Sequence, residues 1–422
     1  MNKSVALHTL GCKLNFSETS TLSRLLEQEG FEKKAFDQQA DVYVINTCSV
    51  TENADRECRQ LVRRIQQHSP DALVVVTGCY AQLQPEEIAS IPGVDLVLGA
   101  AEKFNIVGHL KTITKEAPVK ICSCDIDEVD QFIPTHSLHD RTRVFLKVQD
   151  GCDYTCSFCT IPAARGRSRS DSIESVCRKV EELAGQGVRE IVLTGINLGD
   201  FGKGDTGGKK NQESFLDLIT RLDAIAGIPR FRISSIEPNL LANDIIDFVA
   251  QSRAFMPHFH IPLQSANNRI LGLMKRRYRR ELYAERLAHI RLRMPHAGIG
   301  ADVITGFPTE SDADFEDTYR FLAESGASYL HVFTYSERRE TAALDLQPVV
   351  PVSVRQQRTR KLRSLSFSLQ RQFLELHRET RRPVLFEGHS KNGLMEGYTD
   401  NYIRVSAPHD SKLANQITYW PL

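Results

Sequence analysis

The stretch Cys152-Asp153-Tyr154-Thr155-Cys156-Ser157-Phe158-Cys159 decides how the chain is read. Three thiolates with gaps of three and two residues can wrap one metal centre. Three is one short of a closed four-iron cluster, so one iron would keep an open coordination position for a substrate or cofactor. Zinc sites show the same contrast between closed structural and open catalytic forms. Val144–Gln149 before the triad reads as a strand, and Asp150-Gly151 breaks it, so the cysteines lie on a loop just after a strand. By spacing alone, a zinc loop or three unrelated buried cysteines stand beside the cluster reading.

Downstream, strand and helix alternate. The strands read are Val144–Gln149, Glu190–Thr194, Phe231–Ser234, His258–Leu263, Gly300–Ile304 and Tyr329–Tyr335. Helices fall between them near Ile173–Gly185, Ser214–Ile225, Ala242–Ser252, Arg280–Arg293 and Asp312–Glu324. Six such units fit a partial (β/α)6 barrel, whose chemistry belongs at the carboxyl ends of its strands. The loops there carry Gly195, Asn197, Ser234, Glu237, Gln264, Asp302 and Tyr335. Glycine at 195 lets backbone approach a ligand closely. Glu237 can accept from hydroxyls or an ammonium, and Gln264 both donates and accepts. Each has a plainer reading too, Glu237 as a solvated loop carboxylate and His260 as a core histidine.

Upstream the rhythm is βαβ. Ser4–Thr9, Asp41–Asn46, Ala72–Thr77 and Val94–Leu98 read as strands, with helices over Ser17–Gln28 and Asn53–Gln67. This predicts an open parallel sheet with helices on both faces. Three successive strands end in Cys12, Cys48 and Cys79, and parallel strands bring their carboxyl ends to one edge. Topology alone leaves a second three-thiolate site and three half-buried structural cysteines equally open. The expected layout is a cysteine-bearing domain over 1–115, a connector over 116–140, a barrel over 141–370 and a small β-barrel over 371–422.

The chain has 422 residues, 41% of them hydrophobic and 25% charged, as in a globular protein of two or three domains. No apolar run approaches a membrane span, and the N-terminus lacks the long apolar stretch of a signal peptide. Ten cysteines without a secretion signal point to a reducing, cytoplasmic setting and to metal or redox chemistry. Basic and acidic side chains balance at 53 each, so any nucleic-acid surface must come from local clusters. Two stand out: Lys275–Arg280, with Arg276 and Arg277, and Arg355–Arg363 at the start of a long helix. The glycine- and lysine-rich stretch over 200–212 lacks the P-loop pattern and reads as a mobile surface loop. Cys122 and Cys124 form only a weak metal pair, and Cys58 and Cys177 read as packing residues. Near the end, short strands broken by Gly, Asn and Asp carry Tyr398, Tyr402 and Arg404, suited to stacking and phosphate contact.

Cys152, Cys156 and Cys159 match the C-x3-C-x2-C motif of radical S-adenosylmethionine (SAM) enzymes, where three thiolates hold a 4Fe–4S cluster whose fourth iron chelates SAM. Gly11-Cys12-Lys13-Leu14-Asn15, Asn46-Thr47-Cys48 and Thr77-Gly78-Cys79 resemble the N-terminal domain of radical SAM methylthiotransferases. The final strands resemble the TRAM domain, the RNA-binding module of these enzymes. The resemblance spans essentially the whole chain and decides for a second site. It implies an auxiliary 4Fe–4S cluster on Cys12, Cys48 and Cys79, with Asn15, Asn46 and Thr47 beside it, and it assigns the barrel loops to SAM.

Within the family, G-C-K-[VL]-N is the MtaB-type pattern, against G-C-Q-M-N in the MiaB type and G-C-P-K-N in the RimO type. Thr47–Thr51, Ala54-Asp55-Arg56 and Ala163–Arg169 agree with it. The MtaB type implies methylthiolation of adenine C2 in N6-threonylcarbamoyladenosine at tRNA position 37. A radical derived from SAM removes a hydrogen, the auxiliary cluster delivers a methylated sulfur, and a flavodoxin or ferredoxin supplies electrons. Arg276, Arg277 and Arg338 are then candidates for the threonyl carboxylate or phosphates. Two positions depart from the pattern: Glu340 stands where a glycine is usual before Thr341, and Ala164 where many members carry an aromatic. The alternatives are a MiaB-like enzyme for isopentenyladenosine, a RimO-like enzyme for a ribosomal-protein aspartate, and a non-catalytic iron–sulfur RNA-binding protein.

Overall fold

The computed structural model describes residues 3–48, 52–138, 142–203 and 213–422, and of residues 52–54 the backbone alone. Ser49–Thr51, His139 and residues 204–212 of the glycine–lysine stretch lie outside the described residues.

Val42–Thr47 and Leu73–Gly78 are buried along their whole length, as continuous apolar runs in a doubly covered sheet should be. They sit in a six-stranded parallel sheet ordered Glu32–Lys34, Ser4–Thr9, Val42–Thr47, Leu73–Gly78, Leu96–Leu98, Lys120–Cys122. Alternate side chains separate its two cores. One packs Leu22, Leu26 and Ile106 on Val44 and Val75; the other packs Cys58, Val62 and Ile65 on Ile45 and Val76. The edge strand Lys120–Cys122 belongs to the stretch read as connector. Its pattern is too short and too exposed to announce a strand, and it is made by pairing with Leu96–Leu98. The first helix runs Lys13–Gln28, one turn earlier than expected, with Cys12 as its N-cap.

Six parallel strands make the partial barrel: Arg143–Lys147, Glu190–Thr194, Arg230–Ile233, His258–His260, Gly298–Thr305 and Tyr329–Thr334. Bridges at Phe231–Phe255 and Ser235–His260 join its two three-stranded halves. One large apolar core lies between the strands and the surrounding helices.

The C-terminal strands form an open four-stranded antiparallel sheet, a half-barrel, ordered Arg404–Pro408, Leu394–Thr399, Arg381–Lys391, Ile417–Pro421. Its two edge strands stand at opposite ends of that order, so it does not close on itself. It instead covers the amino end of the barrel. Arg230 and Arg232, at the start of their strand, donate to the carbonyls of Pro383, Tyr398, Thr399 and Asp400. The long helix Val352–Glu375 runs past the boundary expected at 370. Of its basic run, Arg355 and Arg358 point inward, to Glu337, Glu310 and Asp312. Two of the five basic residues in that cluster are therefore structural and do not form a phosphate-facing surface. Among the described residues no helix is long and apolar enough to cross a membrane.

Candidate active site: two cysteine trios at one interface

The loop after Lys147 is shaped by close backbone approach. Gly151 has φ +69°, and a Cβ there would stand 1.9 Å from the Arg167 carbonyl oxygen. Beyond it, the Cys152 amide donates to Gly166, the Tyr154 amide to the Cys152 sulfur at 3.4 Å, and the Ile161 amide to the Cys159 sulfur at 3.5 Å. Arg276 donates to the Cys156 sulfur at 3.1 Å and is held from its other side by Glu237. Burial pushes the Cys152 thiol up to about 12 and the Cys159 thiol up to about 11. The sulfurs thus stay protonated until a metal takes the proton's place. Gly151→Ala should destabilise the protein by about 2–4 kcal/mol and lower its iron content; denaturant unfolding and iron analysis read both effects.

The second trio forms at the sheet's topological switch point. Strand order reverses between Ser4–Thr9 and Val42–Thr47, where open α/β sheets bind ligands. Thr47 and Gly78 are register partners, so Cys48 and Cys79 follow on neighbouring strands. A Cβ on Gly11, at φ +104°, would lie 2.6 Å from Cys48 Cβ and 2.9 Å from its sulfur, which puts Cys48 against the Cys12 loop. Asn15 ties this loop together, donating to the carbonyls of Leu10 at 2.9 Å and Thr47 at 2.8 Å, while Asn46 donates to Asn15 O at 3.0 Å. Thr47 bonds across to the Thr77 carbonyl.

The trios meet. The helix Cys79–Leu83 packs on Ile161–Arg165, which begins two residues after Cys159. From that helix Arg165 reaches Asn15 at 2.5 Å, Glu18 at 3.0 Å and Asp150 at 3.0 Å. Lys103 and Lys147 complete the buried network on Glu18 and Asp150. Burial pushes the Glu18 carboxyl up, but the Arg165, Lys103 and Lys147 charges outweigh it and hold it at about 2. None of these interdomain partners could be read from sequence, because Glu18 and Arg165 are 147 residues apart.

Nor is either trio drawn around a single ion. Among the described residues, the one group of three ligand atoms within 4.8 Å of one another is His260, Asp302 and His331. Tetrahedral zinc holds its thiolates about 3.8 Å apart, from a metal–sulfur bond near 2.3 Å. A cubane, with an iron under each sulfur, spreads its thiolates further than that.

The barrel loops fit a polar ligand. Asn197 Oδ1, Ser234 Oγ and Tyr335 Oη are buried with no hydrogen-bond partner, an arrangement that costs stability unless something bonds them. Gln264 at φ +63°, Asp302, Tyr335 and Arg338 line a cavity of 200 Å³ with Cys159. Gly195 lies against Gln149, whose side chain accepts from the Asn197 amide at 2.8 Å. Glu237 is engaged by Arg276, and Asp302 by His260 at 2.7 Å and His331 at 3.2 Å.

The residues expected at the substrate are scattered. Arg276 is buried between Glu237 and Cys156 and is not displayed to a nucleic acid. Arg277 is exposed, stacked on Tyr154 at 4.0 Å. Arg338 pairs with Asp55 of the N-terminal domain at 2.9 Å. Arg404 is exposed and bonded to Glu396. Tyr398 and Tyr402 stack on each other and face the barrel, Tyr402 at 4.2 Å from His258 and Tyr398 at 4.3 Å from Arg143. They are not an outward stacking platform. Glu340, where glycine is usual, has φ +63°. Glu340→Gly should therefore raise stability by about 1 kcal/mol, read from the unfolding midpoint.

A partial barrel with a three-cysteine loop after its first strand, joined to a sheet that bears three more cysteines, defines the class as a radical SAM enzyme. Residues 4–99 match the family described as uncharacterized protein family UPF0004, and residues 146–322 match the radical SAM superfamily. The threonylcarbamoyladenosine tRNA methylthiotransferase MtaB of Bacillus subtilis is 38% identical over 95% of this chain and 89% of its own length. The protein of that name from Aquifex aeolicus is 40% identical over 95% and 96%. The tRNA-2-methylthio-N(6)-dimethylallyladenosine synthase of Natranaerobius thermophilus is 30% identical over 97% and 92%. Among solved structures, the radical SAM methyltransferase TsrM of Kitasatospora setae superposes with a TM-score of 0.54 at 15% identity, covering 79% of this chain and 73% of that one, a likeness of fold. The chain belongs to the radical SAM methylthiotransferase family.

Proposed function

We propose that this enzyme adds a methylthio group to C2 of the adenine in N6-threonylcarbamoyladenosine at position 37 of tRNA. Two 4Fe–4S clusters, on Cys152, Cys156 and Cys159 and on Cys12, Cys48 and Cys79, and SAM are its cofactors. The observation that carries the reading is the packing of the helix begun at Cys79 on the helix that follows Cys159. It supports the reading because it brings the two cysteine-bearing segments to one interface, which a single-cluster enzyme does not need.

When bound, these groups supply what no side chain can: a radical able to take hydrogen from an aromatic carbon, and a methylated sulfur to replace it. The protein's own residues do the rest. Arg276 neutralises the Cys156 sulfur and fixes Glu237. The unpartnered Asn197, Ser234 and Tyr335 atoms orient a polar ligand over the cysteine loop. Arg165, Glu18 and Asp150 hold the two domains in register and exclude water between them. The target nucleotide leaves its stack to reach the site, as base-modifying enzymes require. We place the reaction in the cytoplasm, with a flavodoxin or ferredoxin as electron donor, since the chemistry needs a low-potential reductant and reduced thiols.

Mass spectrometry of nucleosides from reacted tRNA tests the reading. A methylthio gain on the threonylcarbamoylated nucleoside supports it. Gain on isopentenyladenosine alone, or on a ribosomal-protein aspartate alone, overturns it.

A further inference from the structure

A chamber at the interface is lined by all three parts of the chain. It has a volume of 350 Å³ and is walled by Cys12 and Lys13 from the sheet domain, Arg143, Arg232, Ser234, His258, His260 and His331 from the barrel, and Tyr398 and Tyr402 from the C-terminal sheet. Among the described residues no Asp or Glu lines it. The nearest carboxylates are already committed: Glu190 to Arg232, Glu387 to Arg143, and Asp302 to His260 and His331. The Lys13 ammonium has no hydrogen bond or ion pair among the described residues. Burial pushes the His258 pKa down, with the Lys13 charge among those that add to it, and at Tyr402 the Arg143 and Lys13 charges outweigh the upward push of burial.

Three further atoms on the wall are buried without partners, Arg143 Nε, Ser234 Oγ and His258 Nδ1. Buried polar atoms of this kind mark a place that something polar fills. Tyr402 is also held at φ +74°, a left-handed conformation that a bulky aromatic residue rarely adopts. Its ring is fixed there by His258 and by the Arg232 guanidinium at 5.0 Å. Strain retained against the cost of relaxing it is a feature of ligand-shaping walls.

We infer that this chamber receives the threonylcarbamoyl side chain of the target nucleotide, and that Lys13 is the counter-charge to its carboxylate. The inference rests on the substrate reading above and deepens it. A carboxylate is the one full charge that separates this substituent from an isopentenyl group. Lys13 stands one residue after a cluster cysteine, where the MiaB-type pattern has an uncharged glutamine. The neighbouring Arg143 Nε–H supplies an uncommitted donor for the substituent's oxygens.

The test measures binding of anticodon stem–loops to the anaerobic, cluster-loaded protein by fluorescence anisotropy. Four probes are used: unmodified adenosine, N6-threonylcarbamoyladenosine, its neutral carboxamide and isopentenyladenosine. The wild type should prefer the carboxylate to the carboxamide by ~10-fold or more, the worth of one charge-assisted hydrogen bond. Lys13→Gln should remove that preference and leave binding of the unmodified stem–loop unchanged, and Lys13→Arg should keep it. Iron content and circular dichroism check that the variants are intact, and Lys13 is only half-buried.

A Lys13→Gln protein that still prefers the carboxylate overturns the inference. So does an equal loss on all four probes, which would mean that Lys13 meets a tRNA phosphate. If the wild type fails to distinguish the threonylcarbamoylated loop from the unmodified one, the substrate reading itself fails. If it distinguishes those two but not carboxylate from carboxamide, only the inference fails.

Discussion

Cys79→Ala should retain SAM cleavage and lose sulfur insertion. Supplied with SAM, a reductant and substrate tRNA, the variant is expected to form 5′-deoxyadenosine but no methylthiolated nucleoside. Cys156→Ala should form neither. The separation follows from where the ligands sit. Cys156 belongs to the loop after the first barrel strand and is bonded by Arg276, whereas Cys79 begins a helix in the other domain. Chromatography of the reaction mixture reads both products. A Cys79→Ala protein that still methylthiolates would show that the N-terminal trio is structural, and one that no longer cleaves SAM would show that the two sites are not separable.

Arg165→Met should cost about 3 kcal/mol of stability, because Glu18, Asp150 and Asn15 lose the buried hydrogen bonds of its guanidinium and the carboxylates keep only Lys103 and Lys147. Arg165 meets Glu18 and Asp150 at 3.0 Å each, and all three side chains are almost completely buried. Arg165→Lys should recover only part of the loss, since an ammonium cannot reach Asn15, Glu18 and Asp150 together as the planar guanidinium does. The same network predicts a pH dependence. Glu18 is held at about 2, below its unfolded value of 4.5, so its contribution to stability is complete above about pH 4.5. That contribution is lost as pH falls from there toward 2. Denaturant midpoints measured across that window should drop more steeply in the wild type than in Glu18→Gln. Equal slopes would show that Glu18 carries no linked proton.

Much of this site was legible in the sequence because its chemistry depends on local spacing. The cysteine loop follows a strand as expected. Glu190–Thr194 and the helices Ile173–Gly185 and Asp312–Glu324 begin and end where their apolar periodicity does. The N-terminal cysteines could be grouped because parallel strands place their carboxyl ends together. What could not be read depends on long-range pairing. Lys120–Cys122 becomes a strand only through a neighbour that completes its hydrogen bonds. Arg355 and Arg358 look like solvated charge until the barrel supplies carboxylates to receive them. Tyr402, expected within a strand, sits in a left-handed turn because the amino end of the barrel grips its ring. Arg276 looked like part of a basic surface, yet a carboxylate 39 residues earlier in the chain draws it inside to a cysteine sulfur.

Counting iron and sulfide in the anaerobically reconstituted wild type, with Mössbauer spectra of the same sample, bears most directly on the pairing of two cysteine trios. The structure predicts about eight iron atoms per chain in two cubanes, each with one iron that lacks a cysteine. About four iron atoms, all assigned to a cluster that Cys152→Ala removes, would contradict it.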